Sequence, residues 1–117
     1  MKCPYCKKEA QWVDNSVIYG KRYGKSYMCW YCPCGAYVGC HNNTRTPLGT
    51  MANKELRNWR IKAHSVIDPL WKSKQYTRRE VYQRLSDAFG KRVHIAEADI
   101  QECKEIIRTA DLAFAGN

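Results

Sequence analysis

Among 117 residues, the seven cysteines have the most chemistry to offer. They are Cys3, Cys6, Cys29, Cys32, Cys34, Cys40 and Cys103, and five of them fall into two clusters separated by 22 residues. In a reducing compartment, clustered thiols act as metal ligands rather than as disulfides. Cys3-Pro4-Tyr5-Cys6 is a CxxC knuckle able to present two thiolates to one tetrahedral zinc ion. The second cluster, Cys29-Trp30-Tyr31-Cys32-Pro33-Cys34-Gly35, must supply the other two. The residue after the last cysteine of a knuckle often needs a positive φ and a free N–H. Gly35 after Cys34 offers both, whereas Pro33 after Cys32 offers neither. The expected ligands are therefore Cys3, Cys6, Cys29 and Cys34 around one structural zinc ion, with Cys32 as the competitor. Cys40 and Cys103 read as small buried hydrophobes. Four thiolates close a site to water, so this metal folds the chain and does not catalyse.

The remaining candidates for chemistry are His41, His64, His94 and Asp68. His64 and Asp68 stand one helical turn apart, so the carboxylate could orient the imidazole for general-base work. Such pairs are common, and this aspartate precedes Pro69, where it can simply serve a turn. His41 follows the second cluster and reads as a residue that orders the next loop by hydrogen bonding. The chain has no HNH, paired-carboxylate or phosphate-loop signature. It is expected not to be an enzyme, and no small-molecule substrate is evident.

Short β-compatible runs position the cysteines: Ala10–Val13, Val17–Tyr19, Lys25–Tyr31 and Ala36–Cys40, punctuated by Asp14-Asn15, Gly20 and Gly24. This pattern predicts a small antiparallel zinc ribbon, followed by a loop over residues 41–49. From about residue 52 the apolar period changes from 2 to 3.6. Ala52, Leu56, Trp59, Ala63, Val66 and Leu70 form one helical stripe, expected to end near Asp68 because Pro69 follows. Thr77 is the expected N-cap of a second helix carrying Val81, Leu85, Ala88 and Phe89, closed by Gly90. A third helix carries Ala96, Ile100, Cys103, Ile107 and Ala110 and runs to about residue 111, after which the chain should fray. The fold class is α+β. Residues 1–50 are a ribbon with its following loop, and residues 51–117 a helical unit expected to pack with the ribbon as one compact domain.

Lys and Arg number 20 against 11 Asp and Glu, a net charge of +9. The excess lies in residues 1–95, with 18 basic and 6 acidic side chains; the remainder is mildly acidic. A basic body of this kind suits a polyanion partner. No apolar run approaches the roughly 20 residues of a membrane helix, and mean hydropathy is −0.64. The opening residues contain no apolar h-region, so a cytoplasmic setting without a secretory signal is expected. Basic and aromatic residues interleave in Tyr19-Gly20-Lys21-Arg22-Tyr23-Gly24-Lys25, where cations can meet phosphates while exposed rings stack on bases. Lys54, Arg57 and Arg60 line the first helix. These six cations, Lys21, Arg22, Lys25, Lys54, Arg57 and Arg60, are the expected contact residues for nucleic acid or another partner.

Two resemblances bear on function. Cys3-Pro4-Tyr5-Cys6, then Gly24-Lys25-Ser26-Tyr27-Met28-Cys29 and Cys34, resembles the C-terminal zinc ribbons of bacterial type IA topoisomerases, which bind single-stranded DNA. Ala36-Tyr37-Val38-Gly39-Cys40-His41, Pro47-Leu48-Gly49-Thr50, Ala63-His64 and Asp68-Pro69-Leu70-Trp71 are similar to a family of small phage and prophage zinc-finger proteins. That resemblance implies a mobile-element source and a bacterial host cytoplasm, but no reaction. The resulting expectation is a non-enzymatic binding protein acting on nucleic acid, or on an acidic or nucleic-acid-handling host complex. The alternative is a counter-defence inhibitor of the anti-CRISPR type, directed at a host effector protein. A small nuclease-like enzyme using His41, His64 and Asp68 comes third.

Overall fold

The computed structural model describes residues 1–114, which divide into two compact units, Met1–Lys54 and Glu55 onward. The fraying expected of the last residues lies outside the described residues. In the first unit, β1 (Gln11–Asp14), β2 (Met28–Tyr31) and β3 (Tyr37–Gly39) form a three-stranded antiparallel sheet in that order. The register sets Trp12 opposite Trp30 and Trp30 opposite Val38. Strand side chains alternate between faces. One face packs Trp30 and Val38 with Cys3, Ala10, Cys32, Ala36 and Met51 in a single buried cluster. The unit extends to Lys54 because Met51 and Ala52 are buried and Ala52 exchanges two backbone hydrogen bonds with Tyr37.

One expected strand is instead a helical turn. Val17–Tyr19 lies in α1, Ser16–Tyr19. Asp14 Oδ1 accepts the Ser16 N–H at 2.8 Å, and Gly20 at φ +80° closes the turn through its N–H to Ser16 O. These local bonds outcompete the β-propensity of Val17 and Ile18. The stretch Gly20–Lys25 is consequently an irregular connection rather than the tip of a tight hairpin. Asn15, a buried polar residue, clamps it by donating Nδ2 to Tyr23 O and accepting the Tyr23 N–H, each at 2.9 Å.

The second unit contains α2 (Lys54–Lys72), α3 (Arg78–Phe89) and α4 (Ile100–Ala113). Its buried residues are Leu56, Ala63 and Ile67 on α2, Val81 and Leu85 on α3, and Cys103, Ile106 and Ala110 on α4. Val93, Ile95 and Ala98, from the link between α3 and α4, are buried as well. Thr77 caps α3 in a capping box with Glu80, and Gly90 closes that helix at φ +88°. Asp99 and Glu102 form the same box on α4, so this helix starts after Ala96, which sits in a separate 3₁₀ turn over Ile95–Glu97.

Pro69 does not end α2 at Asp68 as expected; it lies inside the last turn. Its missing N–H forfeits one helical bond and its ring crowds the carbonyl four residues back, but α2 continues past it to Lys72. The turn is held by Ser73 N–H to Pro69 O at 3.0 Å and by Trp71 Nε1 to Asp68 Oδ1 at 3.2 Å. Among the described residues no helix is long and apolar enough to cross a membrane.

Candidate metal centre and basic surface

Two tight turns bring four sulfurs together. In the first, Lys7 donates its N–H to Cys3 O at 3.0 Å and takes a positive φ of 66°, turning Cys3 and Cys6 towards one point. In the second, Cys32-Pro33-Cys34-Gly35, Gly35 donates to Cys32 O at 2.8 Å with φ +104°. Proline at the second position and glycine at the fourth suit a β-turn. The Cys32 N–H then bonds Ala36 O at 2.9 Å, closing the loop onto β3.

The Sγ atoms of Cys3, Cys6, Cys32 and Cys34 all lie within 4.8 Å of one another. The Cys3–Cys34 pair is 3.6 Å apart and the Cys6–Cys32 pair 3.1 Å. A tetrahedral Zn–S bond of about 2.3 Å implies sulfur separations of roughly 3.8 Å, so this set fits one zinc ion. Zinc would be held by these four thiolates, supplying a cross-link between the chain's first residues and the β2–β3 turn.

The electrostatics show how crowded the sulfurs are. Burial raises the pKa of the Cys3 thiol, but N–H donors from Cys6 and Tyr5, with the thiols of Cys34 and Cys6, outweigh it and bring the value to about 7. Cys32 receives the Cys34 N–H, which lowers its pKa. The neighbouring Cys6 thiol and burial oppose this and push it up to about 12. One negative charge forms easily here and the next is resisted, a situation that a divalent cation relieves.

Cys29, expected as a ligand, is corrected by this geometry, and Cys32 takes its place. Cys29 sits on β2 next to Trp30, so its side chain leaves on the opposite face of the sheet. It lines a hollow with Asn15, Tyr19, Tyr23 and Tyr37, and burial followed by nearby Cys40 pushes its thiol up to about 11. Cys34 is among the four clustered sulfurs and is followed by Gly35 at φ +104°. The missed signal was the C-P-C-G turn itself, in which Pro33 separates two ligands. Cys40 and Cys103 are buried with raised pKa values, caused first by burial.

Residues 1–112 match the profile of a family described as a zinc-finger-containing domain. The chain belongs to that family. No curated protein and no solved structure matches it. The zinc-finger-containing domain thus covers both compact units, not the cysteine ribbon alone.

The predicted cations are placed differently from one another. Arg22 is tied into the fold: its Nε donates to Asp14 Oδ2 at 2.8 Å and its guanidinium lies 4.2 Å from the Tyr27 ring centroid. Hydrogen bonds from Ser16, then the one from Arg22, hold Asp14 down at about 2. Arg60 donates Nε to Ala98 O at 3.0 Å, joining α2 to the link before α4. Arg57 is half-buried, whereas Lys21, Lys25 and Lys54 are exposed. Beside Lys21 and Lys25 stand exposed rings: Tyr19 and Tyr23 lie 5.4 Å apart, and Tyr19 meets Tyr37 edge-on at 6.4 Å.

The histidines also separate. His64 Nδ1 lies 3.4 Å from Asp68 Oδ1, so the expected pair is formed, but that same oxygen accepts from Trp71. His94 Nδ1 lies 3.3 Å from Glu97 Oε2. His41 orders its loop through its backbone, whose N–H bonds Thr46 O and whose carbonyl accepts from Thr44.

Proposed function

We propose that this zinc-finger-containing domain is a non-enzymatic, phage-type binding protein that engages nucleic acid, or a host complex that handles it, in the bacterial cytoplasm. The observation that carries this reading is the exposed ring cluster of Tyr19 and Tyr23 beside Lys21 and Lys25, on a protein of charge +9. Rings stack on bases of any identity while cations neutralise phosphates. The zinc supports this face from a distance. With four protein sulfurs around it, the ion would have no position left for substrate, and its role is to hold the sheet. The resemblance to topoisomerase ribbons and to small phage zinc-finger proteins supports the same direction.

The experiment is fluorescence anisotropy of the zinc-loaded protein against single-stranded DNA, duplex DNA and RNA at two salt concentrations. Tight binding to one class is expected, with affinity falling steeply as salt rises. Lys21→Ala/Lys25→Ala should weaken it; Arg22 is left in place because it braces Asp14. Weak binding to all three classes overturns the reading. The exposed Val17, Tyr19 and Tyr23 then favour a second one, a counter-defence inhibitor docking on a host effector protein.

A further inference from the structure

A second feature lies far in sequence from the four clustered cysteines. It is a cleft of about 1000 Å³ within the helical unit. His64 of α2 forms one side, α3 contributes Arg78, Arg79, Tyr82 and Asp87, and the link after α3 adds Lys91, Arg92 and His94. Four permanent cations therefore line it against one carboxylate, Asp87, which is itself engaged by Gln83 Nε2 at 2.9 Å. The lining residue His94 has Glu97 Oε2 3.3 Å from its Nδ1.

The cations are not equivalent. Lys91 is held by Glu102 at 3.2 Å. Arg78 stands beside the half-buried Tyr82, its guanidinium carbon 4.9 Å from the ring centroid, and the guanidinium is itself a planar cation. Arg79 and Arg92 are exposed and have no hydrogen-bond, ion-pair or ring partner among the described residues. Like charges converge on a concave surface only at an electrostatic cost, and an anion that fills the cleft removes that cost.

We infer that this cleft is a second nucleic-acid seat, taking the backbone of a short single strand on Arg79 and Arg92 with a base stacked on the Arg78 guanidinium. A planar guanidinium offers both the fork that phosphate oxygens accept and the flat face that bases stack on. The single strand is favoured over a duplex because its unpaired bases can turn a face to the Arg78 guanidinium while its backbone meets Arg79 and Arg92. The inference rests on the nucleic-acid reading above but concerns different residues on the other compact unit.

The test is anisotropy with fluorescein-labelled ten-nucleotide strands of DNA and RNA, and a matching duplex, on zinc-loaded protein. The variants are Arg79→Ala/Arg92→Ala and Lys21→Ala/Lys25→Ala, with circular dichroism and zinc content verifying the fold. Arg79 and Arg92 make no contacts that the fold uses, so both controls should stay unchanged. Each phosphate contact on a single strand adds about 0.7 to the slope of log affinity against log salt, so removing two should lower it by about 1.4 and weaken low-salt binding by about tenfold or more. Full affinity in the arginine variant, with the unsubstituted protein still binding, overturns the cleft and leaves the tyrosine face standing. Equal or tighter binding of the duplex overturns the single-strand assignment. No binding of any strand by the unsubstituted protein overturns both readings.

Discussion

At the scale of single residues, the metal site turns on a three-position difference. Cys29 and Cys32 are separated by an odd number of steps, and β2 sends alternate side chains to opposite faces. Trp30 packs with the buried cluster that contains Cys32, which commits Cys29 to the other side. Spacing alone did not reveal this, because a CxxxxC and a CxC arrangement both place two thiols near a turn. Zinc content therefore separates the two cysteines. Cys32→Ser should lose stoichiometric zinc on gel filtration, since a neutral hydroxyl replaces a thiolate ligand. Cys29→Ala should retain one zinc per chain and cost only about 1–2 kcal/mol in urea melts, from a small buried gap. Zinc lost by Cys29→Ala and kept by Cys32→Ser would return Cys29 to the ligand set.

At the scale of elements, the helices were the legible part and the ribbon's connections were not. α3 was visible because its cap chemistry is local: Thr77 and Glu80 satisfy each other's backbone N–H groups at 3.0 and 3.2 Å, and Gly90 stops the helix. Thr77→Ala should therefore cost about 1 kcal/mol, read as a fall of several degrees in Tm. A Tm within one degree of the parent would mean that packing of Val81 and Leu85 alone sets this end of the helix. α1 departs from the expected strand because it is made by local turn bonds, one to the Asp14 side chain and the others between backbone groups, which apolar periodicity does not register. Val17-Ile18-Tyr19 favours a strand on propensity, yet Asp14, Asn15 and Gly20 fold it into a turn. Pro69 marks the same limit: a proline costs a helix one N–H bond and crowds the carbonyl four residues back, yet later bonds such as Ser73 N–H to Pro69 O carry α2 on to Lys72. Asn43 shows the same limit. It reads as a polar loop residue, but its Oδ1 accepts the N–H groups of Tyr27 and Met28 at 2.7 and 3.1 Å and so guides the chain into β2.

At the scale of the whole molecule, the two compact units differ in what holds them. The buried cluster of the first unit includes two zinc ligands, Cys3 and Cys32, among small residues such as Ala10 and Ala36. The second unit is built from Ile67, Val81, Leu85, Ile95 and Ile106, with Cys103 as its one buried thiol among the described residues. A structural zinc contributes roughly 10–16 kcal/mol of apparent binding energy in small modules, comparable to or above the net stability of an ordinary domain. Metal removal should consequently act on one unit. Under a strong chelator, hydrogen exchange read by peptide mass spectrometry should lose protection across β1, β2 and β3. The amides of α3 and α4 should keep it, and the helical circular dichroism signal should largely persist. Adding one equivalent of zinc should restore the sheet's protection. Sheet protection that survives chelation would mean that the apolar cluster suffices without the metal. Simultaneous loss in α3 and α4 would mean that the helical unit draws its stability from the ribbon rather than from its own core.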